Sequence, residues 1–165
     1  MAELTKLESK LAEVLGLAMA AQDATRRVAS MLDGQDDELK NELRRMQQEA
    51  RETEQRCREV AAHRDRKKTA ILRAARETRR EAEEMMRTYL SGEDDPLDGF
   101  EFLTMAEAAE VGHWAIVEKL NEQAQDPAIG ELVEWVLPIQ QRHYDTVLAG
   151  SVKLAGGEDP NEIES

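Results

Sequence analysis

The chain has 165 residues, enough for one domain with a real core, and its few aromatic residues (4%) among many charged ones (35%) favour helix over strand. The net charge of −13 is uneven: residues 1–90 hold 19 basic and 18 acidic side chains, residues 91–165 hold 3 and 17, or +1 against −14. So acidic a surface argues against nucleic acid as partner, no run of about 18 apolar residues is present to span a bilayer, and the N-terminus has no signal-type apolar core, so a cytoplasmic protein without a membrane partner is expected.

Residues 3–32 place Leu4, Leu7, Leu11, Val14, Ala18, Ala21, Thr25, Val28 and Leu32 at alternating three- and four-residue steps, which predicts a first helix with one apolar seam. Asp33-Gly34-Gln35-Asp36 then supplies a left-handed stop and a cap for the next helix, and so short a turn makes the two antiparallel. The second helix carries Leu39, Leu43, Met46, Ala50, Thr53, Cys57 and Val60 on its seam. The tightest layer of this pair is expected at Ala18, Ala21, Ala50 and Thr53. The lone Cys57 makes no internal disulfide, and its seam position favours a buried, inert thiol over a reactive one.

The seam fails at His63-Arg64-Asp65-Arg66-Lys67-Lys68, where a break or bend is favoured over one long helix although no Gly or Pro marks it. From Thr69 apolar spacing resumes through Ile71, Ala75, Ala82 and Met86 to Leu90, a segment suited to cross between two halves of a bundle. Residues 64–80 gather eight basic side chains against Asp65 and Glu77. That strip reads as a face that pairs with the acidic half, or with a second copy in self-association, or else as a docking strip for an acidic protein partner.

Residues 91–99 read as a loop. A third bundle helix over about 100–124 is apolar on more than one face and should be largely buried. Gln125-Asp126-Pro127 ends it, and a fourth runs from about 128 to 155 with a kink expected at Pro138. The tail 156–165 is acidic and expected to be disordered. The predicted fold is therefore all-α: a single antiparallel four-helix bundle over 1–155 with an additional crossover helix.

In an antiparallel pair, residues equally far from the turn share a height. With the turn centred near residue 126.5, Glu110 faces His143 and His113 faces Gln140, so Glu110-x-x-His113 and Gln140-x-x-His143 meet on two apolar stripes, with Glu107 one turn away. A carboxylate buried there needs a cation or hydrogen bonds, and carboxylate plus imidazole suits iron, manganese or zinc. A hydrogen-bonded or ion-paired plug of Glu110 with His143 and His113 satisfies the same need. In the first half, Gln22 falls opposite Gln47 and Gln48, with Glu49 and Glu52 near; His63 lies about 14 residues farther on, too far to join.

Leu103-Thr104-Met105-Ala106-Glu107-Ala108-Ala109-Glu110-Val111-Gly112-His113-Trp114 resembles the ferritin-like di-iron carboxylate superfamily, and among its members the small bacterial ferritin-like proteins of unassigned function, over most of residues 10–155. The resemblance implies a core metal site, with iron as the expected cofactor, as one or two ions, and manganese or zinc as alternatives. Glu110, His113 and His143 would be ligands, with Gln140, Glu107, Glu49 and Glu52 beside them. Gln140 stands where that family's pattern has a bridging Glu, and the first half offers no histidine at this height, which makes it a half-site. The function expected is a ferritin-like metal-binding protein; the alternative is a non-catalytic helical bundle that works through protein contacts. Oxygen chemistry would require an added pocket and open coordination positions.

Overall fold

The computed structural model describes residues 2–164 and contains five helices, with no strand among the described residues. They are α1 (Lys6–Met31), α2 (Asp37–Ala62), α3 (Lys68–Leu90), α4 (Pro96–Ala124) and α5 (Pro127–Ala155). None is long and apolar enough to cross a membrane.

Four of the five starts are fixed by side-chain caps. Thr5 and Glu8 form a reciprocal capping box on α1, the Thr5 N–H donating to Glu8 Oε2 at 2.8 Å and the Glu8 N–H to Thr5 Oγ1 at 3.1 Å. Asp36, Asp95 and Asp126 accept from Leu39, Leu97 and Ile129 N–H at the starts of α2, α4 and α5. Gly34, with φ +77°, makes the left-handed turn between α1 and α2.

The chain does break after Ala62: α2 ends there, Arg66 takes φ +59°, and α3 sets out at Lys68. The turn is tied down from both sides, since Lys67 reaches Glu8 at 3.3 Å and the Arg64 guanidinium bonds the Asp126 carboxylate in the α4–α5 turn. The loop expected over 91–99 is shorter, because Asp95 caps and Pro96 opens α4, which leaves Gly99 inside the helix. α5 runs unbroken through Pro138. Past α5 the described residues are exposed.

α1 is the central element. It packs along α2, α3 and α4, while α4 pairs lengthwise with α5, and α2 meets α5. α1 also approaches α3 closely at a glycine. Gly16 lies against α3, where a Cβ would come 2.4 Å from the Ala75 carbonyl oxygen and 2.7 Å from Thr78 Cβ. Ala18, Ala50 and Thr53 are buried, but Ala21 is only half-buried and opens onto a groove instead. α4 also departs from expectation: Met105 and Ile116 are 49% and 44% exposed, because no element covers its outer side.

The core is in two parts. One gathers Leu11, Leu15, Ile71, Trp114, Ile129 and Val136; the other gathers Val28, Leu43, Phe100, Leu103 and Val147. On α4 the boundary falls between Leu103 and Trp114, and on α5 between Val136 and Val147. Glu107, Glu110, Gln140 and His143 occupy those gaps.

Candidate binding site in the bundle core

Four polar side chains on α4 and α5 are buried together: Glu107 is 2% exposed, Glu110 5%, Gln140 4% and His143 3%. Their helical spacing of three aims each pair at the same side of its helix. The Gln140 amide donates to Glu107 Oε2, and His143 Nδ1 lies 3.7 Å from the same oxygen. Burial, then the charge and hydrogen bond of Glu107, push the Glu110 carboxyl well above the ordinary carboxylate range, and the contact with Gln140 only partly opposes them.

The network continues onto α2. His143 Nε2 is 3.4 Å from Glu49 Oε1 on α2, and the Arg142 guanidinium grips both oxygens of Glu49, Nη1 at 3.0 Å from Oε1. The chain of groups is therefore Glu110, Glu107, His143, Glu49, Arg142, with Gln140 bracing the first two.

The register differs from the symmetric one. Both Gln140 and His143 meet Glu107, rather than His143 facing Glu110 and Gln140 facing His113, because a Glu or Gln stem spans most of a 5.4 Å turn. His113 leaves the cluster altogether. Its Nδ1 is 3.3 Å from Glu13 Oε2 on α1, an ion-pair contact without directed hydrogen-bond geometry, and its side chain is 35% exposed. Glu52 is likewise elsewhere, paired with Arg56 at 3.1 Å and 44% exposed. Gln22 meets Glu54 at 2.8 Å, two turns from the Gln47–Gln48 height, since the height rule assumes helices that start level at the turn. His63 sits at the exposed end of α2, bonded to the Glu59 carbonyl.

Of the groups implied as metal ligands, Glu107, Glu110, Gln140, His143 and Glu49 are thus brought together; His113 and Glu52 are not. The donors do not fit an ion as they stand. Glu49 is held by Arg142, Gln140 points an N–H at Glu107, and burial beside Glu107 disfavours the charged form of Glu110. Among the described residues no three His, Cys, Asp or Glu side chains are grouped so that they could hold a metal ion.

Sequence reasoning missed Arg142 and Glu13. Arg142 had a signal: it is one of only three basic residues in 91–165, and it stands between Gln140 and His143. Cys57 is fully buried, and burial pushes its thiol up, so it is no nucleophile.

Glu107 and Glu110 reach the inner wall of a groove of about 520 Å³ between α1, α3 and α4. Small residues, Ala20, Ala21 and Ala24 from α1 with Ala82 from α3, line it together with Met85, Met86, Tyr89 and Phe102. Tyr89 and Phe102 stand with ring centroids 6.0 Å apart. The basic strip does not close this groove. Arg79 pairs with Glu83 at 2.8 Å and Asp23 at 3.1 Å, Arg73 reaches Glu77 at 4.0 Å, and Arg64, in the turn before α3, bonds Asp126 of the acidic half.

Compared with protein-family models, curated proteins and solved structures, the chain matches none of them.

Proposed function

We propose that this chain is a ferritin-like helical bundle in which α1, α2, α4 and α5 form the four-helix bundle and α3 is the crossover helix, and that it acts as a small-ligand-binding protein. The order of antiparallel pairs and the polar layer between two apolar core halves support the fold reading. The observation that carries the functional reading is the buried carboxyl pair Glu107 and Glu110 opening onto the apolar groove. A cavity of this size, mainly apolar and ending on a few converging polar groups with a strongly shifted carboxyl among them, has the anatomy of a site for a small organic molecule. A network supports the pair: Gln140 and His143 contact Glu107, and Glu49, gripped by Arg142, contacts His143 in turn.

The iron, manganese or zinc site is the competing reading, and the adjacency of Glu107, Glu110 and His143 is what favours it. It would require a charged Glu110, which burial and Glu107 disfavour, and a Gln140 that turns its oxygen inward. The supply of polar partners in the layer makes the protein-bound plug the better fit. One comparison separates the two. Binding of the neutral fluorophore N-phenyl-1-naphthylamine should be saturable and be abolished by Ala82→Trp, which fills the groove and leaves the carboxyls alone. Ferrous, manganous or zinc ion should leave the melting temperature unchanged. Stoichiometric metal that raises the melting temperature, with no saturable fluorophore binding, would replace this reading by the metal-binding one.

A further inference from the structure

We infer that the groove selects small apolar molecules bearing a positively charged ammonium group, with the ammonium seated on Glu107 and Glu110 and the apolar body against Ala21, Ala82, Tyr89 and Phe102. This rests on the reading of the groove as a small-ligand site and names the chemical class of its ligand.

The charge of the lining favours a cation. Five glutamates line the groove, Glu13, Glu81, Glu83, Glu107 and Glu110, against Lys10 and His113 as the only groups of basic type. Lys10 is already paired with Glu13 at 2.9 Å, and His113 stands 3.3 Å from the same carboxylate, so neither offers a free positive charge to an anion. An anionic ligand would enter a low-dielectric cleft of its own sign, which costs more than in water.

The inner end favours an ammonium in particular. Glu107 and Glu110 are both buried at the groove, and the neutral Gln140 amide donates to Glu107 Oε2 while the His143 ring nitrogen stands 3.7 Å from the same oxygen. An ammonium brings three N–H donors and the opposite charge, which meets the unfilled acceptor capacity of the pair with charge-assisted hydrogen bonds. The walls suit the rest of such a molecule. The Tyr89 and Phe102 rings, with Met85 and Met86, form an apolar and polarizable surface suited to a cation's hydrocarbon body and to its approach over an aromatic face. The volume of about 520 Å³ admits a molecule of one ring and a short chain.

The test is isothermal titration of the full chain with three probes of one shape, 4-phenylbutylammonium, 4-phenylbutanol and 4-phenylbutyrate. The ammonium should bind at least tenfold more tightly than the alcohol, the ratio that about 1.4 kcal/mol of charge-assisted bonding gives, and the carboxylate should not bind. The doubly isosteric variant Glu107→Gln/Glu110→Gln should bind ammonium and alcohol alike, and Ala82→Trp should bind neither. Equal affinity of the wild type for ammonium and alcohol overturns the cation preference and leaves the groove as a site. Binding of none of the three, with no saturable N-phenyl-1-naphthylamine binding either, overturns both. The wild-type comparison of probes decides the matter even if a variant fails to fold.

Discussion

Replacing Glu110 by Gln tests the raised carboxyl in the core. A carboxyl whose folded pKa lies above its unfolded value binds the proton more tightly when folded. Its contribution to stability is full below the unfolded pKa, about 4.3, and is lost as pH rises from there through the folded pKa. Burial and Glu107 raise the Glu110 pKa, so wild type should lose stability over this window relative to a Gln variant that is neutral at every pH. The slope for one proton is about 1.4 kcal/mol per pH unit. For a domain of this size that corresponds to about 3–5 °C of melting temperature per unit. The groove's Lys10, Glu13, Glu81 and Glu83, and Glu49 and His143 behind the pair, are present in both proteins, whereas Glu107 loses its carboxyl neighbour in the variant. Urea unfolding of both at half-unit steps from pH 4.5 to 7 should show the gap moving steadily in favour of the Glu110→Gln variant as pH rises. Parallel curves would refute a raised Glu110 carboxyl.

Gly16→Ala should destabilise by about 1–3 kcal/mol despite the roughly 1 kcal/mol that Ala adds to a helix, because the new Cβ meets the α3 backbone at Ala75; a variant as stable as wild type in urea would mean that α1 and α3 do not touch there. Arg142→Met should cost about 1–3 kcal/mol by leaving the half-buried Glu49 without its bidentate partner, with Glu49→Gln/Arg142→Met recovering part of the loss; additive losses would argue against the pairing. Burial alone would raise the Glu8 carboxyl, but bonds from the Thr5 N–H, Lys67 and the Thr5 hydroxyl outweigh it and lower it, so its contribution is present above the unfolded pKa and lost as pH falls through the folded one. Glu8→Gln should therefore be less stable than wild type near neutral pH, with the difference closing below about pH 4 in acid titrations followed by circular dichroism.

The helices were legible because apolar steps of three and four, together with Asp, Gly and Pro at the ends, act within a few residues. The break near residue 63 was legible from Arg64 and Lys67 falling on the seam. The approach of α1 to α3 was not, since a glycine inside a helix says nothing of which neighbour needs the space. Likewise Glu107, Glu110, Gln140 and His143 announce themselves as polar residues on apolar stripes, and the structure buries all four. The departure of His113 toward Glu13, and the capture of Glu49 by Arg142, depend on how α1 and α2 lie beside the α4–α5 pair. That is a long-range fact which periodicity within one helix does not carry.

Whether the groove above Glu107 and Glu110 receives a small ligand is measured most directly by amide NMR of the full chain titrated with 4-phenylbutylammonium. A ligand seated there should give saturating shifts confined to the groove walls, around Ala20–Ala24 of α1, Thr78–Met86 of α3 and Phe102–Glu110 of α4, with the outer face of α5 silent. Shifts scattered over the acidic surface without saturation, or none at all, would contradict it.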